Sequence, residues 1–178
     1  MWGKALCRSI TAFVPTRDLW GYDLTYKLSK LNQQATQQVT QQNKGSHMIK
    51  MLSNTPIKAK HTLSCHCGQV ELLLDLPDGI VDPRRCDCSI CRRKGAIAAS
   101  VPLSGLTVVK GQDVLKLYQF NTNAAKHYFC SNCGIYTHHQ RRSNPEQYGY
   151  NVGCLEGVNP FDLGEIVTND GVNHPADR

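Results

Sequence analysis

Between positions 86 and 91 the chain places three cysteines, Cys86, Cys88 and Cys91, in the run CDCSICRRKG, and follows them with Arg92, Arg93 and Lys94. Thiolates at such spacing suit a soft metal ion, zinc first among them. Structural zinc takes four protein ligands, whereas a zinc that does chemistry takes three and leaves one position for water or substrate. Three cysteines therefore pose the question of where a fourth ligand comes from.

Four further cysteines are grouped. SCHCG holds Cys65 and Cys67, and FCSNCG holds Cys130 and Cys133. A pair of cysteines followed by glycine forms a turn whose backbone N–H groups reach the sulfurs. Two such pairs complete one four-sulfur zinc site and leave Cys86, Cys88 and Cys91 together. A rival partition closes the trio with one of these four and strands the other three. Non-metal alternatives are a redox pair at Cys130 and Cys133, or buried thiols at Cys65 and Cys67. Three clusters within 69 residues favour metal. Cys7 and Cys154 stand outside the clusters.

A zinc with three thiolates carries a local charge of −1, which makes it a weak activator of water and a better partner for a thiol. Arg84, Arg85, Arg92, Arg93 and Lys94 bracket the trio and are placed to offset that charge. Arg92 and Arg93 are the expected clamp for a substrate carboxylate, although for any single one of these cations a solvated basic turn is the commoner role. His127, His138 and His139 are possible proton carriers, but each falls in a strand-like run, where a packed or exposed histidine is commoner. His66 and Asp87, lying between ligands, are expected to point outward.

The elements that position these residues read as short strands. In QVELLLDL (69–76), Val70, Leu72, Leu74 and Leu76 share one face, and Pro77-Asp78-Gly79 closes the run. Similar runs cover 96–103, 106–110, 114–120, 125–129 and 149–155. KGQD (110–113) reads as a hairpin connection between the second and third of these. No long 3.6-residue period interrupts them, so the fold class is all-β, with cysteines at strand ends and turns.

Residues 1–56 differ in kind. QQATQQVTQQNK (33–44) is low in complexity and has nothing to build a core, so 1–56 reads as a disordered leader and 57–178 as the zinc-binding domain. The first seventeen residues carry Lys4, Arg8 and Arg17 with no acid, a transit-peptide-like feature, while GSHM (45–48) matches a common expression-vector remnant. The expected compartment is the cytoplasm, or the mitochondrion if the leader is a natural transit peptide. The formal charge of +6 divides unevenly: residues 1–47 hold six Lys/Arg against two acids, and the remainder fourteen against twelve. That near-balance in the domain argues against a nucleic-acid partner. No run of about 18 apolar residues argues for a membrane.

SCHCGQVEL, RCDCSICRRKGA, HYFCSNCG and YNVGCLEG together resemble the glutathione-dependent formaldehyde-activating enzyme family, which includes the centromere protein V-like proteins. The likeness spans roughly 61–178. It implies a β-tent-like fold with two zinc ions per chain, a structural one on Cys65, Cys67, Cys130 and Cys133 and a catalytic one on Cys86, Cys88 and Cys91. It also implies a zinc-dependent carbon–sulfur lyase or thiol-adduct enzyme of the S-(hydroxymethyl)glutathione synthase type, whose partner is a small thiol or its aldehyde adduct. The alternative is a non-catalytic zinc-binding interaction module of the centromere protein V-like type. No segment matches a tripeptide-recognition element.

Overall fold

The computed structural model describes residues 48–175. The leader readings on 1–47, with the Gln repeats, the transit-like stretch and Cys7, lie outside the described residues. Three two-residue strands come first: β1 (Met48–Ile49), β2 (Met51–Leu52) and β3 (Thr55–Pro56). The folded part therefore starts before the expected boundary at 57. Leu52 and Ile57 are buried, which gives these residues an apolar anchor.

The next strands are β4 (Lys60–Ser64), β5 (Glu71–Asp75), β6 (Ile80–Val81) and β7 (Arg84–Cys86), followed by a one-turn helix, Cys91–Lys94. Then come β8 (Ala98–Pro102), β9 (Leu106–Lys110), β10 (Leu115–Tyr118), β11 (Lys126–Cys130), β12 (Tyr136–Gln140), β13 (Gln147–Asn151) and β14 (Val167–Asn169). The all-β expectation holds.

Seven strands form the main sheet in the order β10-β11-β12-β13-β8-β7-β14, and β4-β5-β9 form a second. β1 pairs with β6 and β2 with β3. All pairings are antiparallel except β7 with β14. One apolar cluster joins the two larger sheets. Leu63, Leu72 and Leu74 come from the smaller sheet, and Ala99, Val101 and Tyr150 from the larger. The period-two reading of 69–76 is met in full: Val70, Leu72, Leu74 and Leu76 are all buried while Glu71, Leu73 and Asp75 are partly exposed.

KGQD does not close a hairpin. β9 pairs with β5 and β10 with β11, so this segment passes between sheets. Gly111 makes the passage possible: its φ is +81°, and a Cβ there would collide with the carbonyl of Gln69. The run 149–155 is strand only to Asn151, after which Val152–Cys154 turn into a 3-10 helix.

Candidate metal centres and their cavity

Cys65 follows β4, and Cys67 lies in the turn that leads to β5. Cys130 ends β11, and Cys133 lies in the turn before β12. The two turns are built alike. Gly68 N donates to Cys65 O (3.0 Å) and Gly134 N to Cys130 O (2.8 Å), and both glycines take the left-handed conformation, with φ of 70° and 73°. Val70 N donates to Cys65 Sγ at 3.3 Å. The four sulfurs lie within 4.8 Å of one another. The Cys65–Cys67 and Cys67–Cys130 separations are 3.6 and 3.7 Å. A tetrahedron of sulfurs at the usual zinc–sulfur length has edges of about 3.8 Å, so this donor set fits such an ion.

Hydrogen bonds already favour charge on the exposed side of this cluster. The Asn132 side chain, then the Gln69 backbone, draw the Cys67 thiol down to about 6. The Ile135 backbone N–H lowers Cys133. Burial instead raises Cys130 to about 11. Such a set holds its full complement of thiolates only around a cation.

Cys86 ends β7, Cys88 follows in the loop, and Cys91 opens the one-turn helix, which stops at left-handed Gly95. Their sulfurs also lie within 4.8 Å of one another, and no fourth Cys, His, Asp or Glu among the described residues joins the group. Burial raises Cys86 and Cys91, with the neighbouring thiols adding to the effect. For Cys88 burial acts upward too, but hydrogen bonds from the backbone and thiol of Cys91 outweigh it and the thiol is lowered. The two clusters thus divide the seven cysteines as four and three, and the rival partition is not what the chain adopts.

Among the described residues, the trio lines a cavity of about 890 Å³. Its wall includes Arg84, Arg92, Lys94, His127, Tyr136, His139 and Arg141. Lys94 Nζ lies 2.9 Å from His127 Nδ1 and 3.7 Å from the centre of the Tyr136 ring. Burial draws Lys94 down to about 8, against the upward pull of Cys91 and Cys88. The Tyr136 hydroxyl bonds His139 Nδ1, and burial holds that hydroxyl well above its ordinary value. His127 and His139 are kept neutral, first by burial and then by surrounding positive charge.

Sequence-predicted residues divide at this cavity. Arg92 lines it, but Arg93 does not: its Nη1 donates to Ser89 O at 2.5 Å, back across the helix turn. His127 and His139 reach the wall whereas His138 packs on Tyr128, with ring centres 4.5 Å apart. Cys154 is buried, donates to Tyr136 O (3.6 Å) and is raised by burial to about 12. Asp87 does not point idly outward. Its Oδ1 accepts from Gly171 N (2.6 Å) and Val172 N (3.1 Å), tying the C-terminal segment to the cysteine loop. Tyr136 and Arg141 went unread, because Tyr136 follows the motif of the other cysteine cluster, Arg141 follows none, and the pairing of β12 is what brings them to the trio's cavity.

Among the described residues no helix is long and apolar enough to cross a membrane. In a comparison with solved structures, the chain is similar to a Rhodobacter sphaeroides protein whose crystal structure is known. Identity is 63%, the TM-score is 0.59, and the match covers 61% of this chain and 99% of that one. The family model described as glutathione-dependent formaldehyde-activating enzyme matches residues 60–165, which spans β4 to the turn before β14 and so takes in all seven clustered cysteines. With the four-and-three division of thiols and the small antiparallel sheets that carry it, this match makes the chain a member of the glutathione-dependent formaldehyde-activating enzyme family.

Proposed function

We propose that the chain is a zinc-dependent carbon–sulfur lyase or thiol-adduct enzyme, joining a thiol to formaldehyde or a similar small aldehyde and cleaving the product. In this reading Cys65, Cys67, Cys130 and Cys133 hold a structural zinc, and Cys86, Cys88 and Cys91 hold a catalytic one. The observation that carries it is the asymmetry of the two clusters. Four sulfurs close one, and three sulfurs face a cavity of about 890 Å³ in the other.

A zinc held by Cys86, Cys88 and Cys91 would supply a soft electrophilic position that favours the substrate sulfur as thiolate, its proton released to solvent. The remaining work belongs to the cavity wall. The substrate sulfur attacks the aldehyde carbon, a C–S bond forms, and the carbonyl π pair moves to oxygen. That oxygen needs a proton, and Lys94 Nζ is the donor best placed to give it, with a pKa drawn to about 8 by burial. His127 Nδ1 accepts from Lys94 and fixes the ammonium over the Tyr136 ring. The reverse reaction runs through the same groups, with Lys94 taking the hydroxyl proton as the C–S bond breaks.

The test is exchange between formaldehyde and glutathione followed by NMR with labelled formaldehyde. Acceleration by the zinc-loaded protein, lost in Cys91→Ser and reduced at least tenfold in Lys94→Met, is the expected result. Exchange at the buffer rate with two zinc ions bound would sink the enzyme reading and leave the non-catalytic module.

A further inference from the structure

Lys94 ends the one-turn helix and is the one lysine among the described residues that line the cavity. Its surroundings suit an amine better than an ammonium ion. Nζ bonds His127 Nδ1 of β11 (2.9 Å) and lies 3.7 Å from the centre of the Tyr136 ring of β12. No carboxylate pairs with it among the described residues. Other lysines are placed differently. Lys60 pairs with Asp75 (2.9 Å), while Lys110 and Lys116 donate to the carbonyls of Gly68 (2.9 Å) and Asp113 (3.3 Å), and all three are exposed. At Lys94 burial penalises the charged form and draws the group to about 8, with Cys91 and Cys88 acting the other way. An amine that is partly desolvated in a cavity and held in place is a nucleophile for carbonyl carbon, where an exposed ammonium is only a charge. The arginines of the same wall cannot take this part, because a guanidinium keeps its proton.

We propose that Lys94 is a covalent holding site for a small aldehyde, which its amine takes as a Schiff base inside the cavity that the cysteine trio lines. The Nζ lone pair attacks the aldehyde carbon, a C–N bond forms, and the carbonyl π pair moves to oxygen, which takes up a proton as nitrogen gives one up. That hydroxyl, with one further proton from solvent, leaves as water, and the nitrogen lone pair closes the C=N bond of the iminium. Water adding back to the carbon reverses both steps. The aldehyde then reappears beside the trio, and Lys94 is free again to act as the proton donor. His127 Nδ1 keeps the amine at the wall by accepting one of its N–H groups. The relevance to turnover rests on the reading of this cavity as the place where aldehyde meets thiol, whereas the capture itself needs no thiol.

The test is reductive trapping on the full, zinc-loaded chain. Isotopically labelled formaldehyde is added at pH 7 with dimethylamine–borane, which reduces an iminium to a stable methylamine, and the label at each lysine is followed in time by peptide mass spectrometry. At that pH a group near 8 is neutral about a tenth of the time and an ordinary lysine less than about a thousandth. Lys94 should therefore be methylated at least about tenfold faster than Lys60, Lys110 and Lys116. The measurement reads the natural chain, so it does not depend on a variant that folds. Labelling of Lys94 no faster than of these exposed lysines would overturn the holding site, even in a chain that accelerates exchange between formaldehyde and glutathione. Preferential labelling of Lys94 in a chain that shows no such exchange would establish the site and sink only the enzyme reading beneath it.

Discussion

Gly171 shows how one residue far along the chain conditions the open cluster. A Cβ at this position would run into Cys86 Sγ and lie 2.8 Å from Cys88 Cβ, so the C-terminal segment packs on the cysteine loop only with glycine there. Gly171→Ala should cost about 1–3 kcal/mol of stability through overpacking, and should weaken metal binding at the trio before the four-sulfur site. Chelator titration with metal analysis reads this directly. His138 is the clearest pH-sensitive residue. It is buried, stacks on Tyr128, and burial lowers it to about 4 from an ordinary 6.5. Above about pH 6.5 the ring is neutral in folded and unfolded chains and its contribution is complete. As pH falls toward 4 the unfolded chain takes a proton that the folded one refuses, and stability is lost. His138→Phe, which keeps the stack, should therefore spare the protein roughly 2 kcal/mol of the destabilisation seen between pH 7.5 and pH 5. Denaturant melts at the two pH values check it, and an unchanged difference would place the acid sensitivity elsewhere.

At the scale of elements, the sequence was most informative where one period or one spacing settles the structure. Leu72 and Leu74 declare β5 because alternate burial admits only a strand, and the glycines after Cys67 and Cys133 declare two matching turns. KGQD misled because a turn signal says that the chain reverses, not which strand it will meet, and β9 found β5. The one-turn helix at Cys91–Lys94 went unread because four residues are too few for a period. The grouping of the seven cysteines was legible from spacing, while the place of Tyr136 and Arg141 in the cavity wall was not, since they come near the trio through the pairing of β12 with its neighbours. In the proposed reading the elements also differ in what they owe to metal. The turns at Cys67 and Cys133 join the β4–β5 and β11–β12 hairpins, whereas the trio sits on one loop. Cys130→Ser or Cys133→Ser should therefore unfold the domain, since a structural zinc contributes on the order of 10–16 kcal/mol against a net stability of about 5–15. Cys91→Ser should empty the trio and leave a cooperative melt. Equal collapse of all three variants would mean that both centres are structural.

For the whole described molecule, the boundary at 57 gives way because residues 48–56 are sewn into the fold. β1 pairs with β6, Leu52 is buried, Ser53 Oγ donates to Asp162 (2.7 Å), and Thr55 Oγ1 to Gly157 O (2.6 Å). A chain beginning at 57 should be about 2–4 kcal/mol less stable than one beginning at 48, most of it from the buried Leu52 and the lost strand pairing, and thermal melts of the two would show it. These strands, the two larger sheets and the four-sulfur centre together form a scaffold against which the cysteine trio is left incomplete. That incompleteness is the central claim, and cobalt substitution tests it most directly. With cobalt at both centres, added glutathione should change the visible absorption of one ion per chain, saturably, and Cys91→Ser should abolish the response while keeping the spectrum of the four-sulfur centre. A spectrum that already reports two four-sulfur ions and ignores every added thiol would contradict the account.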